Sequence, residues 1–516
     1  MDLKPLQIRK QKICSQKSDA LLMCCKKALK FRRNNMNKYK TLAFNTIIFT
    51  VGSFSAKIFS LLLNNLYTKH ISPSGLYTKT LLENLVLFLL PVFTFSLTEA
   101  VVRYGLDKNY DKKQIFTTAS VLTVAGLLLL LPVIPLLNLI PILKPIRSYS
   151  VLLFIYISAS ALRALCAQFV RASNMVKLFS LDGILATMTL FIFSIVFISK
   201  LGMGVRGFMI SMILSDTCSA VFLFIAGRIH RYADIKSFSM SFGCTMLRFT
   251  LPLVPTAVIW TFTGFSDQIF IGNMHSSRFE LGKEAAGIYG AAAKIPNLIS
   301  MLSTIFIQAW NMSAIAENDS ADRSSFYEKV YSVYESLLFI VSAGLILMIK
   351  LVSAVLINYS SYPQYKTAYT YTPLLIAAAV FTCLNLFLAG IYTATKHTKN
   401  AFYTIFAVAA ANIILNLSLI PLFGIQGAAF ATFLSYLLCY CIRMIDARRY
   451  VPFRFSVRKT ILNTSLLFLM SLPIIFNFNG WWLYELPIAA VIAVLNFSAV
   501  TETVKKLFVK QADANT

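Results

Sequence analysis

Charged residues are scarce in this chain, and acidic residues are the scarcest. Only 13% of its 516 residues are charged, 57% are hydrophobic, and 48 Lys and Arg stand against 21 Asp and Glu. Soluble domains carry about 25% charged residues. Mean hydropathy is +0.68, and apolar runs of about 20 residues, enough to cross ~30 Å of hydrocarbon, alternate with polar or Gly/Pro joints. The composition excludes a soluble domain and predicts an all-α integral membrane protein.

Histidine is also rare, and the nine cysteines show no paired spacing. The four histidines fall in predicted loops, and the cysteines lie in the N-terminal tail or singly within or beside apolar runs. No catalytic constellation, Gly-rich nucleotide loop or large external loop accompanies the apolar runs. We therefore expect no disulfide framework, no metal site, no cofactor and no enzymatic activity.

Hydropathy predicts about fourteen transmembrane helices. The first apolar run is long enough to span and lacks a small-residue cleavage site, so we expect it to be retained rather than removed as a signal peptide. Translation could begin at Met1 or at Met36. The predicted spans are 41-66, 80-102, 114-136, 149-171, 177-199, 206-227, 248-272, 286-313, 330-353, 369-394, 400-421, 425-445, 460-478 and 480-501.

The basic residues are unevenly divided between the two sides of these spans. The two tails and the even-to-odd joints hold 35 of the 48 Lys and Arg, whereas the opposite joints hold 10. Because short loops rich in Lys and Arg stay in the cytoplasm, this alternation predicts a multi-pass protein of the cytoplasmic membrane with both termini inside. The net charge of +27 then reflects topology, and we expect no nucleic-acid partner.

Two short motifs recur six spans apart. "SGLYTKTLLENL", with Gly75 to Tyr77, resembles "AGIYGAAAKIPNL", with Gly287 to Tyr289, and "GVRG", Gly204 to Gly207, resembles "GIQG", Gly424 to Gly427. An even offset preserves orientation, so the repeat is parallel, as in transporters built from duplicated halves. It predicts two pseudo-symmetric six-helix lobes followed by two further helices.

This repeat divides the chain into four segments. We expect a basic cytoplasmic tail at residues 1-40, an N-terminal lobe at 41-235, a C-terminal lobe at 236-450, and two additional transmembrane helices with a short cytoplasmic tail at 451-516.

The second half of the chain carries the motifs of a known family. The runs "LPLVPTAVIWTFTGFSDQIFIGNM", "AGIYGAAAKIPNLISMLSTIFIQAW" and "NLSLIPLFGIQGAAFATFLSY" resemble the polysaccharide transporters, which are lipid-linked oligosaccharide flippases. Their superfamily also contains multidrug and toxin extruders and peptidoglycan-precursor flippases. The resemblance covers most of residues 41 to 450 and is most specific from 248 to 445. It implies two six-helix lobes around a central cavity that opens alternately inward and outward.

Ionisable residues inside the spans are the first candidates for function, because a charge at the bilayer centre costs at least ~2.5 kcal/mol. Asp267 lies late in the seventh span, and Lys294 lies ~12 Å into the eighth. Two interpretations are open: an ion pair that ties these spans together, or a cavity site in which Asp267 positions a functional Lys294. The repeat aligns Lys57 of the first span with Asp267, which places Lys57 on the cavity side of the other lobe.

Four further intramembrane charges are candidates for a coupling or a structural role. Glu83 lies near the outer end of the second span. Arg163, Asp182 and Asp216 belong to the fourth, fifth and sixth spans, and we expect them to satisfy one another within the N-terminal lobe. The alternative for Asp216 is a proton- or cation-coupling role.

The sequence therefore predicts a flippase that moves an undecaprenyl-pyrophosphate-type oligosaccharide lipid by alternating access, for cell-surface polysaccharide biosynthesis. Lys57 and Lys294 would bind its phosphates, and Asn297 and Gln308 would bind sugar or pack between helices. Expected partners are this glycolipid, membrane lipids, and H⁺ or Na⁺. The alternative function is a cation-coupled multidrug extruder with Asp267 or Asp216 as the coupling acid.

Overall fold

The computed structural model describes residue 59 and residues 62–107, 109–316, 323–395 and 397–513. Across these ranges the chain is α-helical with no strand. Nine described stretches are long and apolar enough to cross a membrane. The predicted all-α membrane fold is confirmed. Most of the first predicted span lies outside the described residues.

The described part of the first half begins with a helix at 62–70, here α1. The second predicted span is broken after Phe93, where Phe95 and Ser96 adopt positive φ values of 51°. The helices that follow α1 are α2 (Pro73–Phe93), α3 (Leu97–Gly105), α4 (Lys112–Leu137), α5 (Ser150–Ala172), α6 (Val176–Ser194), α7 (Gly204–Ala226) and α8 (Met240–Thr250).

The second half also contains broken spans. The eighth predicted span is two helices, and the eleventh and twelfth form one continuous element that kinks at Gly424. Its helices are α9 (Val254–Asn273), α10 (Lys283–Ala292), α11 (Asn297–Ala316), α12 (Arg323–Leu347), α13 (Ile349–Leu356), α14 (Ala368–Ala394), α15 (Thr398–Tyr450), α16 (Val457–Ile475) and α17 (Trp481–Asp513).

The helices form two lobes. In the N-terminal lobe α7 packs against α5 and α6, and in the C-terminal lobe α14 packs against α11 and α15 while α9 packs against α15. The last two helices, α16 and α17, pack on α12, and α16 also packs on α14. They extend the C-terminal lobe.

The GVRG and GIQG motifs have the same backbone geometry in the two lobes. Gly204 and Gly424 both adopt positive φ, +52° and +60°, a region that side chains with a Cβ rarely occupy. A Cβ on Gly207 would meet the Phe197 carbonyl oxygen at 2.8 Å, and one on Gly427 would meet the Leu419 carbonyl oxygen at 2.2 Å. Each motif therefore turns the chain and packs the next helix closely on the preceding span, as a structural repeat requires.

Among the described residues, the hydrogen bonds and ion pairs that join α1–α7 to α9–α17 cluster at one end of the bundle. Examples run from Asn64 to the Leu356 carbonyl at 3.0 Å and from Tyr365 to the Ile71 carbonyl at 3.1 Å. Helices α2 and α10 cross there so closely that a Cβ on Gly287 would lie 1.8 Å from the Pro73 carbonyl oxygen. We call this end, formed by residues 62–83, 273–294 and 355–371, the closed end.

The apolar stretch Met240–Asn273, which contains the seventh predicted span, connects the lobes and is divided between them. Its first part, α8, buries Phe242 and Met246 in a core made by α3, α4 and α5 of the N-terminal lobe. Its second part, α9, packs on α15 of the C-terminal lobe. Between them lies a 3₁₀ turn, Leu251–Leu253, at Pro252, which has no N–H to continue the α-helix.

Candidate functional site

Three charged side chains join the lobes at the closed end. Lys79 Nζ donates to Glu83 Oε2 at 2.8 Å within α2, and Lys294 Nζ lies 4.0 Å from the same oxygen. Glu83 therefore connects a lysine of its own lobe to a lysine of the other lobe. Two ammonium groups around one carboxylate leave one positive charge unneutralised. We call these three residues the inter-lobe lysine cluster.

The two lysines of this cluster differ in exposure. The Lys79 side chain is 4% exposed, and its Nζ lies 4.7 Å and 4.6 Å from the ring centroids of Tyr67 and Phe208, within the range of cation–π attraction. The Lys294 side chain is 36% exposed. Lys79 is thus held in the packed N-terminal lobe, whereas the ammonium of Lys294 is accessible to a ligand.

Local chain geometry gives Lys294 this position. Helix α10 ends at Ala292, and Pro296 lacks the N–H that a continuous helix would need. Lys294 lies in the joint between α10 and α11, where its own N–H donates to the Ala291 carbonyl at 3.3 Å. The joint carries the lysine toward α2 of the other lobe.

Both interpretations of Asp267 are wrong in one respect: it neither forms an ion pair with Lys294 nor contacts it to position it. Asp267 is 7% exposed and faces the interior of its own lobe, where Tyr289 donates to its Oδ2 at 2.6 Å. The hydroxyl of Thr432 donates to the same oxygen. Tyr289, which contacts Asp267, is on α10, whereas Lys294 lies beyond the end of that helix. Asp267 therefore faces its own lobe, and Lys294 faces Glu83 of the other lobe. The basic partner expected for Asp267 belongs instead to Glu83.

Two asparagines one turn apart on α15 complete the surroundings of Asp267. Asn416 Nδ2 donates to Asp267 Oδ1 at 2.7 Å, and Asn412 Nδ2 donates to the same oxygen at 3.2 Å. Asn412 Oδ1 accepts from Ser266 at 2.8 Å, whereas the buried Oδ1 of Asn416 has no donor in the described part of the chain. Four neutral groups therefore hold the carboxylate, and it forms no ion pair with any described residue.

Arg163, Asp182 and Asp216 contact one another in the N-terminal lobe. Arg163 Nη1 donates to Asp216 Oδ1 at 2.9 Å, and Nη2 lies 3.7 Å from Asp182 Oδ2. Ser160 and Ser219 donate to the other oxygens of Asp216 and Asp182, and Arg163 Nε donates to Ser219 at 2.9 Å. Every side-chain oxygen of both aspartates is therefore occupied, which is the arrangement of a structural cluster.

We expect Arg163→Met to destabilise the N-terminal lobe by about 2–3 kcal/mol, because it leaves two buried carboxylates without their cation. The value is below the usual range for breaking a buried pair since the Arg163 side chain is 30% exposed. Thermal unfolding of the purified protein in detergent measures the loss. Arg171→Met, at the exposed end of the same helix, is the matched control. An Arg163→Met variant as stable as this control would contradict a structural role.

The structure describes the remaining predicted site residues only in part. Asn297 is exposed at the start of α11. Gln308 belongs to the same helix, and its side chain is outside the description. Lys57 lies outside the described residues altogether.

The sequence pattern does not identify several residues of these clusters. Lys79 falls one residue before the predicted start of the second span, so it counts there as a loop lysine, yet α2 already begins at Pro73 and buries it. Asn412 and Asn416 are spaced i, i+4 in the apolar run "NIILN". Two amides on one face of a transmembrane helix are a signal that could have located the partners of Asp267.

No protein-family model matches this sequence, and no curated protein matches it either. Its fold, however, is found in solved structures. The lipid II flippase MurJ in an inward closed conformation matches with a TM-score of 0.62 and 16% identity, over 89% of this chain and 99% of that chain. An inward-facing multidrug resistance MATE family transporter of the MOP superfamily matches with a TM-score of 0.60 and 13% identity, over 78% and 98%.

A variant of the Vibrio cholerae MATE transporter VcmN matches with a TM-score of 0.57 and 12% identity, over 80% of this chain and 98% of that chain. At such identities the likeness establishes the fold. The chain thus has the two-lobed fold of these flippase and transporter structures. The same fold serves a lipid II flippase and multidrug transporters, so the substrate must be argued from the residues.

Proposed function

We propose that this protein is an alternating-access flippase of the cytoplasmic membrane that transfers a lipid-linked oligosaccharide of the undecaprenyl-pyrophosphate type. The observation that carries the proposal is the inter-lobe lysine cluster. It places a net positive charge between the lobes, and the partly exposed Lys294 is one of its members. Lysine binds phosphate oxygens as a point charge, so a diphosphate headgroup fits this site. The predicted Lys57 would add a second cation from the N-terminal lobe.

An apolar cavity on the same interface would suit the lipid part of such a substrate. It has a volume of about 370 Å³ and is lined by apolar side chains of both lobes, among them Phe88 of α2, Phe262 of α9 and Phe406 of α15. A glycolipid that keeps its chain in this apolar region and its phosphates at Lys294 moves only its headgroup across the hydrocarbon.

The same proposal includes the orientation expected from the basic residues, with the closed end outside. Single cysteines at Ser276 and Asn479, introduced into a variant without the nine native cysteines, should react with a membrane-impermeant thiol reagent applied to intact cells. A cysteine at Ser325 should stay unlabelled until the membrane is opened. Labelling at 325 together with protection at 276 would reverse the orientation.

A second function, cation-coupled export of drugs, is favoured by one specific observation. The Asp267 carboxylate is surrounded by Tyr289, Asn412, Asn416 and Thr432, which are all neutral. A buried carboxylate without a cationic partner among the described residues is a candidate to bind the coupling cation. We propose this carboxylate as the coupling site. It is compatible with either substrate, and it deepens the flippase proposal as long as the lysine cluster binds the transported anion.

Complementation separates the two functions. The first host lacks its own oligosaccharide flippase and also expresses the glycan-synthesis pathway of the strain from which this protein comes. In that host the protein should restore surface glycan. In an efflux-deficient host, it should leave ethidium resistance unchanged. Ethidium resistance without glycan export would establish the extruder instead.

A further inference from the structure

A second cavity lies at the closed end and is lined by residues of the C-terminal lobe and of the loop after α16. It encloses about 950 Å³. Its wall is built from four segments that are far apart in sequence: the loop before α10 with the start of that helix, the turn before α14 with its first residues, the kink of α15, and the loop after α16. Ligand pockets are usually about 300–1,000 Å³, so this cavity has room for more than one sugar ring.

The walls of this cavity are joined to one another. Ser276 donates to the Pro421 carbonyl at 2.9 Å, and a Cβ on Gly424 would come within 2.9 Å of the Phe279 ring, so that ring packs directly on the kink of α15. Tyr369 donates to Asn477 at 2.8 Å. Gln426 Nε2 donates to the Thr370 carbonyl at 2.7 Å. These bonds preform the cavity, which reduces the entropic cost of binding.

The lining combines aromatic faces with side chains that accept and donate hydrogen bonds. Phe279 and Phe423 are 43% and 53% exposed, and Tyr371 stands beside them. The polar lining residues include Glu280, Lys283, Glu284, Gln364, Gln426 and Asn477. Glu280, Lys283 and Glu284 are exposed and form no ion pair with another described residue. Two carboxylates against one ammonium give the cavity a negative charge within a strongly basic chain.

Residue types that favour the membrane–water interface lie beside the cavity. Lys350 Nζ lies 4.9 Å from the Trp481 ring and 5.3 Å from the Tyr369 ring. Tryptophan, tyrosine and basic residues gather at membrane–water interfaces. Tyr369 also donates to Asn477 of the cavity wall. A headgroup whose lipid remains in the bilayer can therefore reach this cavity.

We propose that this cavity is a second carbohydrate site, which holds the uncharged sugar rings of the glycan on the outer side of the membrane. A sugar ring has an apolar C–H face that packs on an aromatic ring, and hydroxyls that both donate and accept. Exposed phenyl rings beside carboxylates and amides match both properties. The negative charge disfavours acidic sugars. Its place outside rests on the proposed function, but its chemistry rests on the lining alone.

Saturation-transfer NMR with the full-length protein in phosphatidylglycerol nanodiscs tests the site. The probes are maltotriose, chitotriose and the oligosaccharide released by mild acid from the strain's own lipid carrier, with trigalacturonate and phosphoethanolamine for comparison. We expect at least one uncharged saccharide to bind and trigalacturonate to bind at least about fivefold more weakly. Phe423→Ala and Glu284→Gln should each weaken saccharide binding about fivefold or more, the loss of roughly one hydrogen bond or its equivalent.

Matched controls exist on the same chain. Phe478 is 51% exposed in the loop after α16 but does not line the cavity, and Glu328 is an exposed carboxylate on α12. Phe478→Ala and Glu328→Gln should bind like the unmodified protein. Lys294→Gln should also bind normally, so a failure of the flippase proposal leaves this result intact. Binding of phosphoethanolamine alone, no saccharide binding, or saccharide binding that ignores both cavity variants would overturn the proposal.

Discussion

Replacing Lys294 by glutamine is expected to abolish most glycan export while the protein still reaches the membrane. The side chain is 36% exposed and its only described ion-pair partner, Glu83, keeps Lys79 at 2.8 Å. Folding therefore loses little. A phosphate held by Lys294 would lose a charge-assisted bond of about 1.5–3 kcal/mol, which corresponds to roughly a tenfold to hundredfold lower rate. Surface glycan relative to membrane-protein level, in a flippase-deficient host, measures the effect.

Two comparisons make this result specific. Lys366→Gln removes an exposed lysine from the same end of the bundle and should export normally. Because Asp267 does not contact Lys294, neutralising Asp267 should not rescue the Lys294→Gln variant, as it would if the two formed a structural pair. Full export by a Lys57→Gln, Lys294→Gln double variant would remove the basis for a phosphate site and bring the extruder hypothesis forward.

Much of the architecture follows from the sequence because hydropathy is a one-dimensional signal. Runs of apolar residues locate the spans, and the glycines of GVRG and GIQG identify the repeat, since Gly204 and Gly424 share a backbone conformation. Helix breaks are harder to predict. Phe95 and Ser96 leave the helix with positive φ in the middle of an apolar run, without a proline or glycine at either position.

The candidate sites show where such reasoning fails. Sequence position gives the depth of Asp267 and Lys294 in the membrane but not the direction in which each side chain points. A joint of a few residues before Pro296 carries Lys294 to Glu83 of the other lobe. By contrast, Arg163 and Asp216 meet as expected, because their unbroken helices α5 and α7 pack side by side.

Replacing Asp267 by asparagine should leave the protein folded yet uncouple transport from the cation gradient. An asparagine retains one acceptor for Tyr289 and Thr432, while its new amide would face the Nδ2 groups of both Asn416 and Asn412. Rotation of the Asn416 amide removes the conflict at 2.7 Å, because its Oδ1 has no donor in the described part of the chain, and the weaker 3.2 Å contact of Asn412 is lost. The packing thus tolerates the change, and what is lost is the negative charge that would hold H⁺ or Na⁺.

Proteoliposomes loaded with fluorescently tagged glycolipid provide the measurement. Transfer by the unmodified protein should rise when a Na⁺ or H⁺ gradient is applied, and Asp267→Asn should show only the rate observed without a gradient. Asp182→Asn is the matched control, since that carboxylate already has Arg163 as a cationic neighbour, and it should keep its gradient response. If Asp267→Asn responds to the gradient as strongly as this control, Asp267 only ties α9 to α10 and α15, and the coupling cation binds elsewhere.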